Sequence, residues 1–262
     1  MRVVIKGAGD LASGTALRLR HAGFDIAMTE IPRPLAVRRT VCFSPAVYEG
    51  SARVEDLCAA LARDERDLED CLRRGRIAVF VDPRARIVEK ISPDVLVDAI
   101  MAKKNTGTSI HDAPVVIALG PGFTAGIDCH AVIETMRGHT LGRVITQGSA
   151  LPNTGVPGDI GGHTGERLLR SPAEGIFEGR AKIGDLVKKG DTVALAGDLP
   201  IRAGIDGVLR GLLPSGTPVS PGMKAGDIDP RCEVSHCFTV SDKALAIAGG
   251  VLEAILRLRP RP

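Results

Sequence analysis

Along the first thirty positions the hydrophobic pattern changes from a run to a helical spacing and back. Val3-Val4-Ile5 is a short apolar run, the stretch to His21 is amphipathic, and Ile26-Ala27-Met28 is apolar again before Thr29 and Glu30. This predicts strand, helix, strand. From 53 to 75 the apolar positions Val54, Leu57, Cys58, Leu61, Leu68, Cys71 and Leu72 recur at three and four residues among many charges, which predicts an amphipathic helix broken near Asp64. Short apolar runs at 77–81, 95–100 and 115–119 read as strands, the first closed by Asp82-Pro83. The segments 131–135 and 141–146 are rich in β-branched residues around Arg137-Gly138-His139, and predict a hairpin over 130–146. From Ser241 to Leu258, apolar residues at helical spacing predict an amphipathic helix packed back on the core, and Gly249-Gly250 within it predicts close approach to another backbone. Strands alternating with helices argue for a mostly parallel, helix-covered sheet.

The turn after the first strand carries chemistry. Gly7-Ala8-Gly9-Asp10-Leu11-Ala12 has the layout of a dinucleotide-binding βαβ unit: Gly7 permits a tight turn, Gly9 lets backbone approach a pyrophosphate, and Ala12 lets helix and strand sit close. Backbone N–H groups at the helix start would face the phosphates. Glu30, 23 residues after Gly7, stands where a carboxylate accepts from a ribose hydroxyl. Two further strand ends run into loops suited to anions: Lys103, Lys104, Asn105, Gly107 and Thr108 after one, and Gly120 and Gly122 with Phe123 after the other. Residues 148–165, crowded with Gly, Pro, Asn and Ser, read as an irregular linker that lines a cleft.

Beyond the linker the sequence repeats. Placing 175–179 over 207–211, an offset of 32, also aligns Gly184 with Gly216, Val187 with Val219 and Gly190 with Gly222. Two equivalent β half-motifs follow. The phrases IGDLVKKGDTVA and IDGVLRGLLPSGTPVSPGMKAGD resemble biotinyl and lipoyl carrier domains, which implies a barrel-sandwich hybrid. Those carriers present a modified lysine on the hairpin between the halves. Here that hairpin reads Gly197-Asp198-Leu199-Pro200, so no prosthetic arm is expected, and Lys188 and Lys189 are solvated surface.

Composition narrows the function classes. With 34 basic and 31 acidic residues, no Trp and a single Tyr, the chain lacks both the charge and the stacking platforms that hold nucleic acid. No apolar run of membrane-spanning length occurs and no leader precedes the first strand, so neither membrane association nor export is expected and the location is cytoplasmic. Six cysteines form no CxxC pair. Cys58 and Cys71 read as small core hydrophobes. Cys129-His130 and His236-Cys237, with Cys232, fit no common zinc spacing, so no metal is assigned. Neither GxSxG, a P-loop nor a Tyr-x-x-x-Lys pair is present.

Long blocks carry a more specific likeness: VIKGAGDLASG (4–14), MTEIPRPLAVRRTVCFS (28–44), VDAIMAKKNTGTSIHDAPVVIALGPGFTAG (97–126), HAVIETMRGHTLGRVI (130–145), PNTGVPGDIGG (152–162) and CFTVSDKALAIAGGVLEAIL (237–256). With these the chain resembles the YqeB-type proteins of the selenium-dependent molybdenum hydroxylase system. The resemblance implies a Rossmann-like N-terminal half and a cytoplasmic accessory role in maturing such a hydroxylase, with the apo-hydroxylase or other cofactor-maturation proteins as partners. The implied ligand is of the dinucleotide type, NAD-like or molybdopterin dinucleotide. A thiolate is the natural handle for selenium, which singles out Cys237 and Cys129, then Cys42 and Cys232. The competing readings are an NAD-dependent oxidoreductase and an NAD-sensing regulatory protein; whether the chain turns over a substrate, and whether it forms homo-oligomers, stay open.

The expected architecture is therefore α/β. A Rossmann-like parallel sheet with nucleotide-binding turns occupies 1–148, a linker 149–165, a barrel-sandwich-hybrid-like domain 166–230, and a C-terminal segment with an amphipathic helix 231–262.

Overall fold

The computed structural model describes residues 1–155 and 158–259. Residues 156 and 157 of the expected linker, and 260–262 of the expected C-terminal segment, lie outside the described residues. The chain packs as two units, one formed by Met1–Pro34, Cys42–Thr154 and Val240–Pro262, the other by Leu35–Val41 and Gly155–Thr239.

The first unit is built on nine strands: β1 (Arg2–Lys6), β2 (Asp25–Glu30), β3 (Ser51–Val54), β4 (Leu57–Ala62), β5 (Ile77–Val81), β6 (Val95–Asp98), β7 (Val115–Leu119), β8 (Ala131–Ile133) and β9 (Val144–Ile145). Its helices are α1 (Asp10–His21), α2 (Ala46–Glu49), α3 (Glu65–Arg73), α4 (Ile87–Ile91) and α5 (Asp242–Leu258). The sheet order is β3-β4-β5-β2-β1-β6-β7-β8-β9. Neighbours from β4 to β8 run parallel, whereas β3 and β9 pair antiparallel at the two edges. Alternation along β1 explains how one strand serves two layers: Val3 and Ile5 join the core under α1 and α5, and Val4 joins the opposite core with α3 and α4. Since β1, β6 and β7 are covered on both faces, they read as unbroken apolar runs.

Two expectations for this unit are corrected. The helix predicted from 53 to 75 exists only as α3; residues 51–62 form the β3–β4 hairpin, turned at Glu55 with φ 52°. Leucines at positions 57 and 61 mimic helical spacing, but β4 is a strand because Ala59 to Ala62 pair in parallel with β5. The break at Asp64 is a cap, its side chain accepting from the N–H groups of Arg66 and Asp67. The Rossmann-like parallel sheet is likewise corrected to a mixed α/β sheet with little helix. The connections at 99–114 and 120–130 hold no helix, because Gly, Pro, Asn and Ser interrupt every helical register there.

The second unit consists of β10 (Leu168–Arg170), β11 (Gly175–Gly179), β12 (Leu186–Val187), β13 (Thr192–Ala196), β14 (Leu199–Arg202), β15 (Gly207–Leu212), β16 (Pro218–Val219) and β17 (Lys224–Asp229). They form two sheets, β10-β17-β15-β12 and β14-β13-β11-β16. The repeat is visible in the strands, as β11, β12 and β13 recur 32 residues later as β15, β16 and β17. Each half lends its middle strand to the other: β11 pairs with β16, and β15 with β12. The barrel-sandwich hybrid expected here is nonetheless corrected. Strands β10 and β14 add a fourth strand to each sheet, and charge occupies part of the interior: Arg210 on β15 makes a bidentate pair with Asp227 and reaches Asp229, while Arg167 also binds Asp227. Burial would raise the Asp229 carboxyl, but Arg231 and Arg210 more than offset it and hold it down to about 2.

Candidate functional site

At the carboxyl edge of the first unit's sheet, β1 ends in Lys6 and β6 in Asp98, residues paired in register. Both are buried, and so is Thr108 from the following loop. Lys6 Nζ donates to Thr108 Oγ1 at 2.5 Å, the Thr108 hydroxyl donates to Asp98 Oδ2 at 2.5 Å, and Lys6 Nζ lies 3.4 Å from that same oxygen. Opposite charges beside each other inside the fold, with a hydroxyl between them, leave few unmade hydrogen bonds. The loop from 103 to 109 is thereby pinned to the sheet. Lys6 and Asp98 did not stand out in the sequence, although a charge closing an otherwise apolar strand is the signal that marks both.

The three glycine-bearing turns pack one on another. A Cβ on Gly7, whose φ is 95°, would come within 3.1 Å of Ala99 O; one on Gly122, with φ 106°, would lie 2.6 Å from Lys104 backbone atoms; one on Gly120 would meet Thr135 Oγ1 at 2.6 Å. Gly7 and Gly122 are thus required by the fold itself. Met101 and Lys103, neither of them glycine, also hold φ near 60°, a conformation costing about 1–2 kcal/mol for an ordinary side chain. Such strain gathers where structure serves a ligand.

Within this cluster the donors divide. Asn105 turns its own loop inward: its Oδ1 accepts from the N–H groups of Gly107 and Thr108, and its Nδ2 donates to Thr108 O and to Asp128 Oδ1. Ser109 N–H donates to Asp112. That loop therefore offers no phosphate nest from 107 to 109, and its outward feature is the exposed Lys104. The start of α1 differs. Its N-cap is Gly9, which supplies no capping side chain, and the first-turn N–H groups of a helix lack intrahelical acceptors. A Cβ placed on Gly9 would meet nothing within 4 Å, and its φ of −74° suits any residue. Asp10 opens the helix and Ala12 is buried in its first turn.

Glu30 sits beside this terminus. Its Oε2 accepts from Ala8 N–H at 3.0 Å and its Oε1 from Ile31 N–H at 2.8 Å. Burial pushes its carboxyl above the ordinary range against those two hydrogen bonds. It remains an acceptor with spare lone pairs. Helix α5 runs alongside α1 in the same direction: a Cβ on Gly14 would meet Ala244 and Val240, and Gly249 faces Arg18. Both helix N-termini therefore point to the same edge of the sheet, where their dipoles favour negative charge.

One thiol, Cys42, lies beside this cluster: its Sγ contacts Ser44 Oγ, Ser44 N–H donates to Ala8 O, and the charges of Asp10 and Glu30 act on it. Cys42 and Cys129 are buried, and burial pushes each up to about 12; burial also raises Cys237, whose thiol faces Leu209 O in the second unit. A thiol held protonated is a poor nucleophile. His130, next to Cys129, accepts Val116 N–H through Nδ1. Arg38, close to Glu30 in sequence, belongs to the second unit and donates to His236 O and Thr239 O. Among the described residues no group of three His, Cys, Asp or Glu is arranged to hold a metal ion, and no helix is long and apolar enough to cross a membrane.

No protein-family model matches the chain. It is 54% identical over 256 residues to the uncharacterized protein YqeB of Escherichia coli (strain K12), a match covering 98% of this chain and 47% of that protein. The likeness is to a YqeB-type protein. The chain spans about half the length of that relative. Among solved structures it resembles an aspartoacylase family protein from Mesorhizobium loti, at 13% identity, 87% of this chain, 83% of that one and a TM-score of 0.28. It also resembles a succinylglutamate desuccinylase from Silicibacter sp., at 15% identity, 87% and 84% coverage and a TM-score of 0.27. These neighbours carry aspartoacylase and desuccinylase names rather than those of molybdenum accessory or NAD-binding proteins. Maturation of a selenium-dependent molybdenum hydroxylase, NAD-dependent oxidation and NAD sensing are accordingly withdrawn as readings of this chain. At TM-scores of 0.27 and 0.28 no activity passes from those neighbours either.

Proposed function

We propose that the first unit binds a small, phosphate-bearing and hydroxyl-bearing ligand at the carboxyl edge of its sheet. The observation that carries the reading is the open, uncapped terminus of α1. The fold would accept an ordinary side chain at Gly9, yet a glycine there supplies no side-chain cap to the helix start. Support comes from the parallel α5, whose N-terminus faces the same edge, and from the strained loop around Met101 and Lys103. Glu30 and Asp10 supply acceptors for ligand hydroxyls, while backbone N–H groups and the Lys104 ammonium supply donors for phosphate oxygens.

A small molecule rather than nucleic acid agrees with the near balance of 34 basic and 31 acidic residues. A cytoplasmic location belongs to the same proposal, supported by six cysteines that are all free thiols. Titration calorimetry with ribose 5-phosphate, inorganic pyrophosphate and ribose tests the reading. Saturable heats with the first two and none with ribose are expected. Equal behaviour of ribose and ribose 5-phosphate, or no binding by either phosphate compound, would overturn it.

A further inference from the structure

At the amino edge of the first unit's sheet lies a groove of about 740 Å³, lined among others by Glu89, Asp94, His111, Asp112 and His130. His130 stands just before β8 and ties that end of the strand to β7 twice. Its backbone N–H donates to Val116 O at 2.8 Å, and its ring Nδ1 accepts from Val116 N–H at 3.0 Å. Upstream of His130 the chain leaves β7, with Gly126 N–H donating to Cys129 O and Ala125 N–H to Gly148 O. The imidazole thus supplies the acceptor that a longer β8 would have given. Val116 is fully buried, so its N–H without that acceptor would be left unmet in the core, at a cost in free energy.

A backbone N–H can only donate, so Nδ1 is bare and the neutral ring carries its proton on Nε2. Protonation puts a hydrogen on both ring nitrogens and removes the acceptor. Burial first, and then the neighbouring His111, push the His130 pKa below its ordinary value. The bond from Val116 acts in the same direction, because only the unprotonated ring can accept it. The carboxylates on the groove are Glu89 of α4, Asp94 ahead of β6, and Asp112; Asp94 accepts Arg2 N–H and Asp112 accepts Ser109 N–H. On the same segment as His130, Asp128 accepts from Asn105 Nδ2 and Thr124 N–H, and Cys129 stays a neutral thiol.

We infer that His130 is a pH-sensitive latch: neutral, it fastens the 120–130 connection to β7; protonated, it lets that connection go. The charge of the ring does the switching. The same connection carries Gly122, packed on the Lys104 backbone, and Asp128, which holds Asn105. Asn105 in turn accepts from Thr108 N–H, so release in acid loosens the 103–109 loop as well. The inference uses the fold alone and stands whether or not the first unit binds a phosphate compound.

The test takes the full chain with ¹⁵N-labelled histidine through a pH titration by NMR, and follows amide hydrogen exchange at Val116 and Thr108, with β1 and β2 for comparison. His130 should show the Nε2–H tautomer when neutral and a midpoint below about 6.5. Protection of the Val116 and Thr108 amides, corrected for intrinsic exchange, should fall by up to about tenfold per pH unit between about 6.5 and that midpoint, while β1 and β2 keep theirs. His130→Gln, neutral at every pH, should make this protection independent of pH across the same window. The Nδ1–H tautomer, a midpoint at or above about 6.5, steady protection at either amide while the ring titrates, or an unaltered pH dependence in His130→Gln would each overturn the latch. Parallel loss at β1 and β2 would mark global unfolding and would overturn it too. Should His130→Gln fail to fold, the wild-type tautomer, midpoint and exchange decide by themselves.

Discussion

Replacing Gly9 with Asp separates stability from binding, because the two respond in opposite directions. The backbone there, with φ −74° and ψ −172°, is ordinary extended conformation, and a side chain would enter open space. Aspartate is among the best N-cap residues, its carboxylate accepting from the second or third helical N–H, so the folded chain should gain a few tenths of a kcal/mol over glycine. The same carboxylate covers the donors proposed for phosphate. It also sets a negative charge about 4 Å from the anion, a repulsion of roughly 4 kcal/mol at an effective dielectric of 20. Salt and solvent reduce that figure, and a loss of about a hundredfold in affinity for ribose 5-phosphate is expected. Thermal unfolding and calorimetry on the same preparation should therefore show an unchanged or raised midpoint together with lost binding. A stable Gly9→Asp protein that binds the phosphate as well as wild type would refute the argument that the open terminus is the site.

The other expectations concern the supports of that site and the second unit. Gly122→Ala must place a Cβ 2.6 Å from the Lys104 backbone at φ 106°, and should lower the melting midpoint by several degrees, a cost of about 2 kcal/mol or more. Thr108→Val removes the hydroxyl between Lys6 and Asp98 and should cost about 1–3 kcal/mol, with earlier proteolytic cleavage between 103 and 109; an unchanged melting midpoint and digestion pattern would contradict the anchoring role. Under native conditions near pH 8 a thiol reagent should label the exposed Cys232 and leave Cys42 and Cys129 unreacted, since burial holds both near 12. Asp229 is held below its unfolded value, so its contribution is complete above about 3.8 and is lost as pH falls toward about 2. Chemical denaturation of Asp229→Asn and wild type should accordingly converge across that window, and a gap that persists below it would show another cause.

Local pattern alone determined a good deal of this protein. Apolar runs located β1, β2, β5 and β7, the spacing after Gly9 marked α1 as far as His21, and Ser241 announced the cap of α5. Each is decided by neighbours within one turn or one strand, which is the range over which side-chain periodicity acts. The glycine repeat at an offset of 32 was legible for the same reason. The β3–β4 hairpin was not, since alanines and leucines at mixed spacing satisfy a helix and a buried strand equally, and only pairing with β5 decided between them. The helix-free connections at 99–114 and 120–130, which make the sheet something other than a Rossmann-like one, follow by contrast from Gly, Pro, Asn and Ser interrupting every helical register, a local property. So too with the site. Gly7 and Gly9 could be read as a turn before a helix, but Lys6, Asp98 and Thr108 meet only because β1 and β6 lie side by side in the sheet. Contacts between residues so far apart in sequence are chosen by which apolar faces must be buried together, and that choice belongs to the whole fold.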